Sequence, residues 1–215
     1  MNTNLSEETY YINATKENAS LFLGSYLSAL FQERSDKNHL PPVFLCIGSD
    51  RVAGDSLGPI IGSRLCALLP DQFFVYGTLE HPVHALNLSE TLRSIYRDHS
   101  DRLLIAIDAS LGTKKHQGYV TVSHGSLSPG AGVNKTLEAA GDISITGIVN
   151  INSRFSQLTL QSTRLSIVMA LAECIAKGIC LACQNLFSGQ RSSTAFFPSA
   201  SASQNGSHHF INSAV

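Results

Sequence analysis

Two aspartates, each following a short apolar run, are the residues of this chain with the clearest potential for chemistry. Asp55 comes after the run that begins at Val43, and Asp108 ends the run that begins at Leu103. Such runs, bounded by turn residues, are typical of strands that are buried on both faces. A carboxylate at the carboxyl end of a strand lies where open α/β sheets bind their ligands. The two carboxyl groups could therefore share a proton and act together as an acid and a base.

Each aspartate also has a purely structural interpretation. Asp55 precedes a predicted helix, where a capping carboxylate would stabilise the first turn by about 1 kcal/mol. Asp108 could simply end its strand in a turn. The pair is more informative than either member, because two carboxylates that approach closely raise the pKa of one of them. One carboxyl group would then be protonated while the other activates water.

Residues that flank the two aspartates are candidates for substrate binding. Ser49 and Asp50 lie in the loop after the first strand, although Asp50 could instead form an ion pair with Arg51. Glu80 follows the second predicted strand and has the same two interpretations. A later loop contains two glycines, whose exposed N–H groups could hold an anion or a peptide carbonyl. The candidates in this later loop are Pro129, Gly130, Gly132, Asn134 and Lys135, of which the lysine could stabilise an oxyanion.

Other kinds of hydrolytic site remain open as alternatives. Gly54-Asp-Ser-Leu57 matches the signature of esterases that use the serine as nucleophile, but there the motif directly follows the first strand, whereas here the seven residues 48–54 lie between the strand and Asp55. The histidines after residue 124 are His208 and His209, in the tail, and a serine without a base is weakly activated. A metal could also bind both aspartates and a histidine. The candidate histidines are His81, His84, His116 and His124.

The five cysteines do not point to a redox or metal site. Cys180 and Cys183 have the spacing of a redox or metal pair, but they lie in an apolar helical pattern without a second pair. An odd number of cysteines without a secretory segment fits a reducing compartment. We therefore expect most of the thiols to act as small apolar side chains.

Apolar strands and helices alternate along most of the chain. Strands are expected at about 43–47, 73–79, 103–107, 119–123 and 143–150, and helices at about 17–34, 56–69, 82–97 and 158–182. This alternation is typical of βαβ units, with a mostly parallel sheet and helices on both faces. The predicted fold is an α/β three-layer sandwich, in which helices flank a twisted, mostly parallel sheet.

Composition divides the chain into three segments and argues against nucleic acid and membranes as partners. We expect a polar, helical segment at 1–40, an α/β domain at 41–185 and a serine-rich tail at 186–215 with a composition typical of disorder. The net charge is −1 and no basic stripe is visible, so nucleic acid is not an expected partner. The apolar stretch 165–187 has the pattern of an amphipathic helix that includes Glu173 and Lys177. We therefore expect a cytoplasmic protein without membrane association.

Seven sequence blocks between about Val43 and Gly178 carry a family resemblance. They are Phe44-Leu-Cys-Ile-Gly-Ser-Asp-Arg51, Gly54-Asp-Ser-Leu-Gly-Pro59, Val75-Tyr-Gly-Thr-Leu79, Pro82-Val-His-Ala-Leu-Asn87, Ile107-Asp-Ala109, Pro129-Gly-Ala-Gly-Val-Asn-Lys135 and Gly141-Asp-Ile-Ser-Ile-Thr-Gly-Ile-Val-Asn150. In this order they resemble the YyaC family of sporulation proteins, which are regarded as candidate spore proteases. Seven blocks in one order are far more specific than any single block.

That family is in turn similar to the germination protease of spore-forming bacteria, which degrades small acid-soluble spore proteins. The likeness implies that Asp55 and Asp108 correspond to the proposed catalytic aspartates of that protease. Both families resemble hydrogenase-maturation endopeptidases in fold, where the equivalent acidic positions and a histidine bind nickel or another metal. This chain has no histidine at the third position, near residues 133–137. The resemblance therefore implies a metal-free carboxylate pair and no cofactor.

From these observations we predict an endopeptidase of sporulation, with small acid-soluble spore proteins as expected substrates. One aspartate would polarise the scissile carbonyl as an acid and the other would activate water as a base, in an order that the sequence does not assign. Two alternatives stay open: a sporulation protein that binds peptides without cleaving them, and a metal-dependent peptidase of the hydrogenase-maturation type. A homo-oligomer is also open.

Overall fold

A computed structural model describes residues 9–34, 40–129 and 137–188. The strands in these ranges are β1 (Tyr10–Asn13), β2 (Val43–Cys46), β3 (Phe74–Tyr76), β4 (Leu104–Gly112), β5 (Tyr119–His124) and β6 (Ile143–Ile151). The helices are α1 (Ala19–Arg34), α2 (Leu57–Leu68), α3 (Leu88–Asp98), α4 (Ser156–Gln161) and α5 (Leu165–Ser188). Two short 3₁₀ turns, Ala53–Asp55 and Lys114–His116, lie between them.

The strands form one mixed sheet in the order β1-β5-β6-β4-β2-β3. Strand β2 pairs in parallel with β3 and β4, and β4 pairs in parallel with β6. Strand β5 is antiparallel to β6, and β1 is antiparallel to β5. The carboxyl ends of the parallel strands therefore meet at one edge of the sheet. The predicted α/β sandwich is confirmed, and its central strands are parallel.

Helices cover both faces of the sheet. Alternate side chains of β4 point to opposite faces, so Ile105 and Ile107 lie in one core while Leu104 and Ala106 lie in the other. Helices α1, α2 and α5 supply the first core, and α3 supplies the second. Burial on both faces explains why the central strands read as continuous apolar runs. By the same alternation, Asp108 belongs to the face that α3 covers.

Helix α5 has an apolar stretch, Leu165–Leu186, that is long enough by length and composition to cross a membrane. Half of this stretch is buried inside the fold. Its buried residues include Leu171, Ile175 and Ile179, which belong to the first core together with side chains of α1 and α2. On its other side, Glu173 forms ion pairs with Arg64 and Lys177. Packing within the fold therefore accounts for the apolar composition of this helix.

Several element boundaries differ from the prediction. The segment that was expected to be only helical begins with β1, and the second predicted strand is shortened to Phe74–Tyr76. The third predicted helix begins at Leu88, because residues 82–87 form a turn whose Val83 pairs with Ile47. The last helical pattern is divided into α4 and α5. Helix α5 continues to Ser188, and the rest of the serine-rich tail lies outside the described residues.

Asp55 does not cap helix α2, so that prediction is wrong. It ends the 3₁₀ turn before the helix, and Ser56 occupies the N-cap position without a capping side-chain hydrogen bond. The Ser56 hydroxyl instead donates to the Ala53 carbonyl oxygen at 2.7 Å. The 3₁₀ turn places Asp55 one residue before the N-cap residue of α2, so its carboxylate is not at the capping position.

Gly58 holds the start of α2 close to the end of β2. A Cβ atom at this position would overlap the main-chain carbonyl of Ile47. We expect Gly58→Ala to lower the free energy of unfolding by about 2–3 kcal/mol, because backbone must move to admit the methyl group. Urea denaturation measures this loss, with Cys66→Ala on the exposed side of the same helix as the control. Equal stability of the two variants would show that helix and strand are not in close contact.

Candidate active site

The two aspartates lie beside the carboxyl end of β2. Asp108 is not at the end of its own strand, as was predicted, because β4 continues to Gly112 and stays paired with β6. Asp55 follows β2, and Asp108 lies on β4, which is hydrogen-bonded to β2. The pairing continues beyond β2, since the Ile47 N–H donates to the Ile107 carbonyl at 2.7 Å. The side chains are near enough that the charge of Asp55 raises the pKa of Asp108. The structure thus brings together the two residues that the sequence singled out.

Asp108 is the buried member of the pair, with 7% of its surface exposed. Burial is the main cause that raises the pKa of Asp108 well above its ordinary value, and the charge of Asp55 raises it further. One hydrogen bond opposes this shift, because the Ala109 N–H donates to Oδ1 at 2.7 Å. Asp108 is therefore expected to hold its proton to a pH well above the ordinary range of a carboxyl group.

Asp55 is the more accessible member, and its pKa is raised less. Burial raises the pKa of Asp55 to about 6, while a backbone hydrogen bond from Ser49 and the charge of His84 act to lower it. The loop is folded back tightly, with the Ser49 N–H donating to the Asp55 carbonyl at 3.0 Å. Gly48 permits this, because its φ is 147° and a Cβ atom there would overlap the same carbonyl. Since neutral pH lies above its pKa of about 6, Asp55 is mostly ionised there.

Of the four histidines that were candidates for a site with the aspartates, His84 is the one whose charge acts on Asp55. Its turn is attached to the sheet because the Gly48 N–H donates to the Val83 carbonyl at 2.8 Å. The His84 N–H donates to Asn87 Oδ1 at 2.8 Å, and the imidazole Nδ1 accepts the Leu86 N–H at 3.3 Å. While Nδ1 accepts this hydrogen bond, the hydrogen of a neutral ring is on Nε2, which can then donate to a neighbouring acceptor.

Replacing His84 should change the titration of Asp55. Because the charge of His84 favours the ionised carboxylate, we expect His84→Gln to raise the pKa of Asp55 above its value of about 6. Carbon-13 NMR of the carboxyl groups measures it, with the exposed His81→Gln as the control. A pKa that stays constant or falls would mean that His84 does not act on Asp55.

The other predicted site residues are only partly placed near the pair. Ser49 is half-buried and its hydroxyl accepts the Arg51 N–H at 3.3 Å. Asp50 and Glu80 are exposed, and Asp50 takes no part in the ion pairs found in the described part of the chain. Pro129 is buried. The remaining predicted residues of that loop, Gly130, Gly132, Asn134 and Lys135, lie outside the described residues.

The described residues give little support to the alternative chemistries. Ser56 is buried and its hydroxyl is bonded to a main-chain carbonyl, which is unlike an activated nucleophile. Residues 9–34, 40–129 and 137–188 contain no group of three or more His, Cys, Asp or Glu side chains arranged to hold a metal. Burial raises the pKa of the Cys180 and Cys183 thiols, so neither is a ready thiolate. The expectation of a metal-free pair stays a prediction.

Comparisons with known proteins agree with the resemblance that the sequence blocks carry. Residues 11–178, which include both aspartates, match the family DUF1256, described as a protein family of unknown function. The uncharacterized protein YyaC of Bacillus subtilis (strain 168) is 40% identical over 171 residues, covering 80% of this chain and 82% of that protein. The resemblance to the YyaC family is confirmed, and the likeness to proteases stays a prediction. With its two aspartates inside the matched region, the chain belongs to the DUF1256 family.

Proposed function

We propose that this protein hydrolyses peptide bonds, with Asp55 as the general base and Asp108 as the general acid. The observation that carries the proposal is that a buried Asp108 and a partly accessible Asp55 lie close enough for the charge of Asp55 to raise the pKa of Asp108. Two carboxyl groups whose environments push their pKa values apart are suited to acid and base roles at the same pH. Their position beside the carboxyl end of β2, the kind of place where α/β proteins bind ligands, supports the same function.

In the first step, Asp108 donates a hydrogen bond to the oxygen of the scissile carbonyl and polarises it. Asp55 accepts a proton from a water molecule, whose oxygen attacks the carbonyl carbon. In the tetrahedral intermediate the former carbonyl oxygen carries the proton of Asp108. The proton on Asp55 then moves to the amide nitrogen and the C–N bond breaks. As the carbonyl re-forms, the proton returns to Asp108, and the products are a carboxylic acid and an amine.

The resemblance to spore proteins supports small acid-soluble spore proteins as the substrate and the spore-forming cell as the place of action. The first test is to incubate the purified chain with such a protein and to identify the fragments by mass spectrometry. Defined cuts support hydrolysis, whereas saturable binding without cuts would replace the proposal with that of a peptide-binding protein. Loss of cutting with a chelator, and its return with added metal, would replace it with a metal-dependent peptidase.

The pH dependence of cleavage gives a sharper prediction. Activity should rise with pH through about 6, because Asp55 must lose its proton to act as a base. It should fall at higher pH, when Asp108 loses its own proton, so that kcat/KM follows a bell-shaped curve. Initial rates measured between about pH 4 and 9 test this curve. A rate that is already at its maximum near pH 4 would rule out Asp55 as the base.

A further inference from the structure

A polar cleft of about 380 Å³ lies on the sheet beyond the aspartate pair. Its floor includes five hydroxyl side chains that point from alternate positions of three strands: Ser110 on β4, Thr121 and Ser123 on β5, and Ser144 and Thr146 on β6. Helix α3 packs over β2 and β4 on the same face of the sheet. The cleft is therefore the part of this face, over β4, β6 and β5, that lies next to the layer formed by α3.

The cleft begins directly beside Asp108, although neither aspartate lines it. Thr146 is the register partner of Asp108 in the parallel β4–β6 pairing. Ser110 is two residues after Asp108, so both side chains point to the same face of the sheet. A substrate chain whose scissile carbonyl reached Asp108 would therefore extend its neighbouring residues into the cleft.

The cleft is built for hydrogen bonds, and its described lining residues include the histidines His116 and His124 but no carboxylate, ammonium or guanidinium group. The hydroxyl oxygen of Thr146 lies 2.7 Å from that of Thr121 and 3.1 Å from that of Ser110. Each hydroxyl has one hydrogen and two acceptor positions, so this chain of three keeps capacity for a ligand. An apolar ligand side chain would displace water and leave these groups without partners, which costs free energy.

We propose that this cleft is the substrate subsite next to the scissile bond, and that it selects uncharged hydrogen-bonding side chains such as Ser, Thr and Asn over apolar side chains of the same size. The proposal rests on the proposed peptidase function. A site that hydrogen-bonds a substrate hydroxyl rejects the apolar analogue more strongly than an apolar pocket rejects a polar one. Because the cleft is open to water on one side, we expect it to prefer a hydrogen-bonding side chain over its apolar analogue by about tenfold. An enclosed site can discriminate between the two far more strongly.

Cleavage of a randomised decapeptide library tests this selectivity. For the parent chain, sequencing of the fragments by mass spectrometry should show Thr about tenfold over Val at one position beside the cut. Thr146→Val should reduce this preference to about twofold and act on KM more than on kcat. Thr91→Val, which removes a half-buried hydroxyl from α3, is the matched control and should keep the preference. An unchanged preference in Thr146→Val would overturn the subsite.

A binding measurement separates this inference from the proposed function. The Asp55→Asn/Asp108→Asn double variant, labelled with nitrogen-15, is titrated with the same library pool. Shifts of the Ser110, Thr146 and Ser123 amide signals that are lost in a further Thr146→Val variant support the cleft, even if the parent chain cuts nothing and the peptidase proposal fails. Absence of shifts at these amides would overturn the cleft, even if the parent chain cleaves peptides.

Discussion

Asp55→Asn is expected to lower kcat for peptide hydrolysis by about 10³-fold, because an amide cannot accept the proton of the attacking water. Asp108→Asn is expected to lower kcat by about 10²-fold, because its amide N–H₂ can still donate to the carbonyl oxygen but supplies no proton. KM should change little in either variant. The rates are measured with one defined peptide at about pH 7, with the exposed Asp71→Asn as the control.

The double variant adds a test of whether the two residues work together. If both residues act in one proton-transfer step, the fall in kcat of Asp55→Asn/Asp108→Asn should be close to that of the single variant with the lower kcat. Losses that multiply would mean that the two aspartates contribute to separate steps. Full activity in both single variants would exclude the carboxyl pair from the reaction.

Asp55→Asn should also stabilise the fold at neutral pH. The pKa of Asp55 is raised from 3.8 to about 6, so the unfolded chain loses its proton first as the pH rises. The folded state is therefore destabilised progressively between about pH 4 and 6, and the loss is complete above the folded pKa. A shift of about two units corresponds to about 3 kcal/mol, of which we expect about 2 kcal/mol after solvent screening.

Asparagine is uncharged and does not pay the cost of burying an ionised carboxylate. Asp55→Asn should therefore be about 2 kcal/mol more stable than the parent chain at pH 8 and equally stable near pH 4. Asp108→Asn should show the same sign, since burial also raises the pKa of Asp108. Urea denaturation at the two pH values measures the difference, and Asp71→Asn should show none. A parent chain that is more stable than both variants at pH 8 would mean that burial of the ionised carboxylates does not destabilise the fold.

The sequence was sufficient to predict the centre of the sheet and to select the two aspartates, although not that β4 continues past Asp108 to Gly112. Strands β2 and β4 are buried on both faces, so each leaves a continuous apolar run that ends close to an acidic residue. Helix α2 and much of α5 follow from their apolar patterns. Ligands generally bind at the carboxyl ends of parallel strands. This edge of the sheet could therefore be predicted as a site without knowledge of tertiary contacts.

The missed features depend on contacts between distant residues. Strand β1 is exposed along much of its surface and forms only because Tyr10 to Asn13 pair with β5, more than a hundred residues later. His84 was one of four candidate histidines, and what no local pattern shows is the pairing of Val83 with the end of β2, which brings His84 rather than another toward Asp55. The hydroxyl cleft appears only when the register of β5 against β6 aligns Thr121 with Thr146.

Carboxyl titration by carbon-13 NMR tests most directly whether the two aspartates form one functional pair. A coupled pair predicts that Asp55 titrates at about 6 and that Asp108 stays protonated well above the ordinary value of 3.8. It also predicts that Asp55→Asn lowers the pKa of Asp108, because the charge that raises it is removed. Two independent titrations near 3.8, with the pKa of Asp108 unchanged in Asp55→Asn, would contradict a shared acid and base.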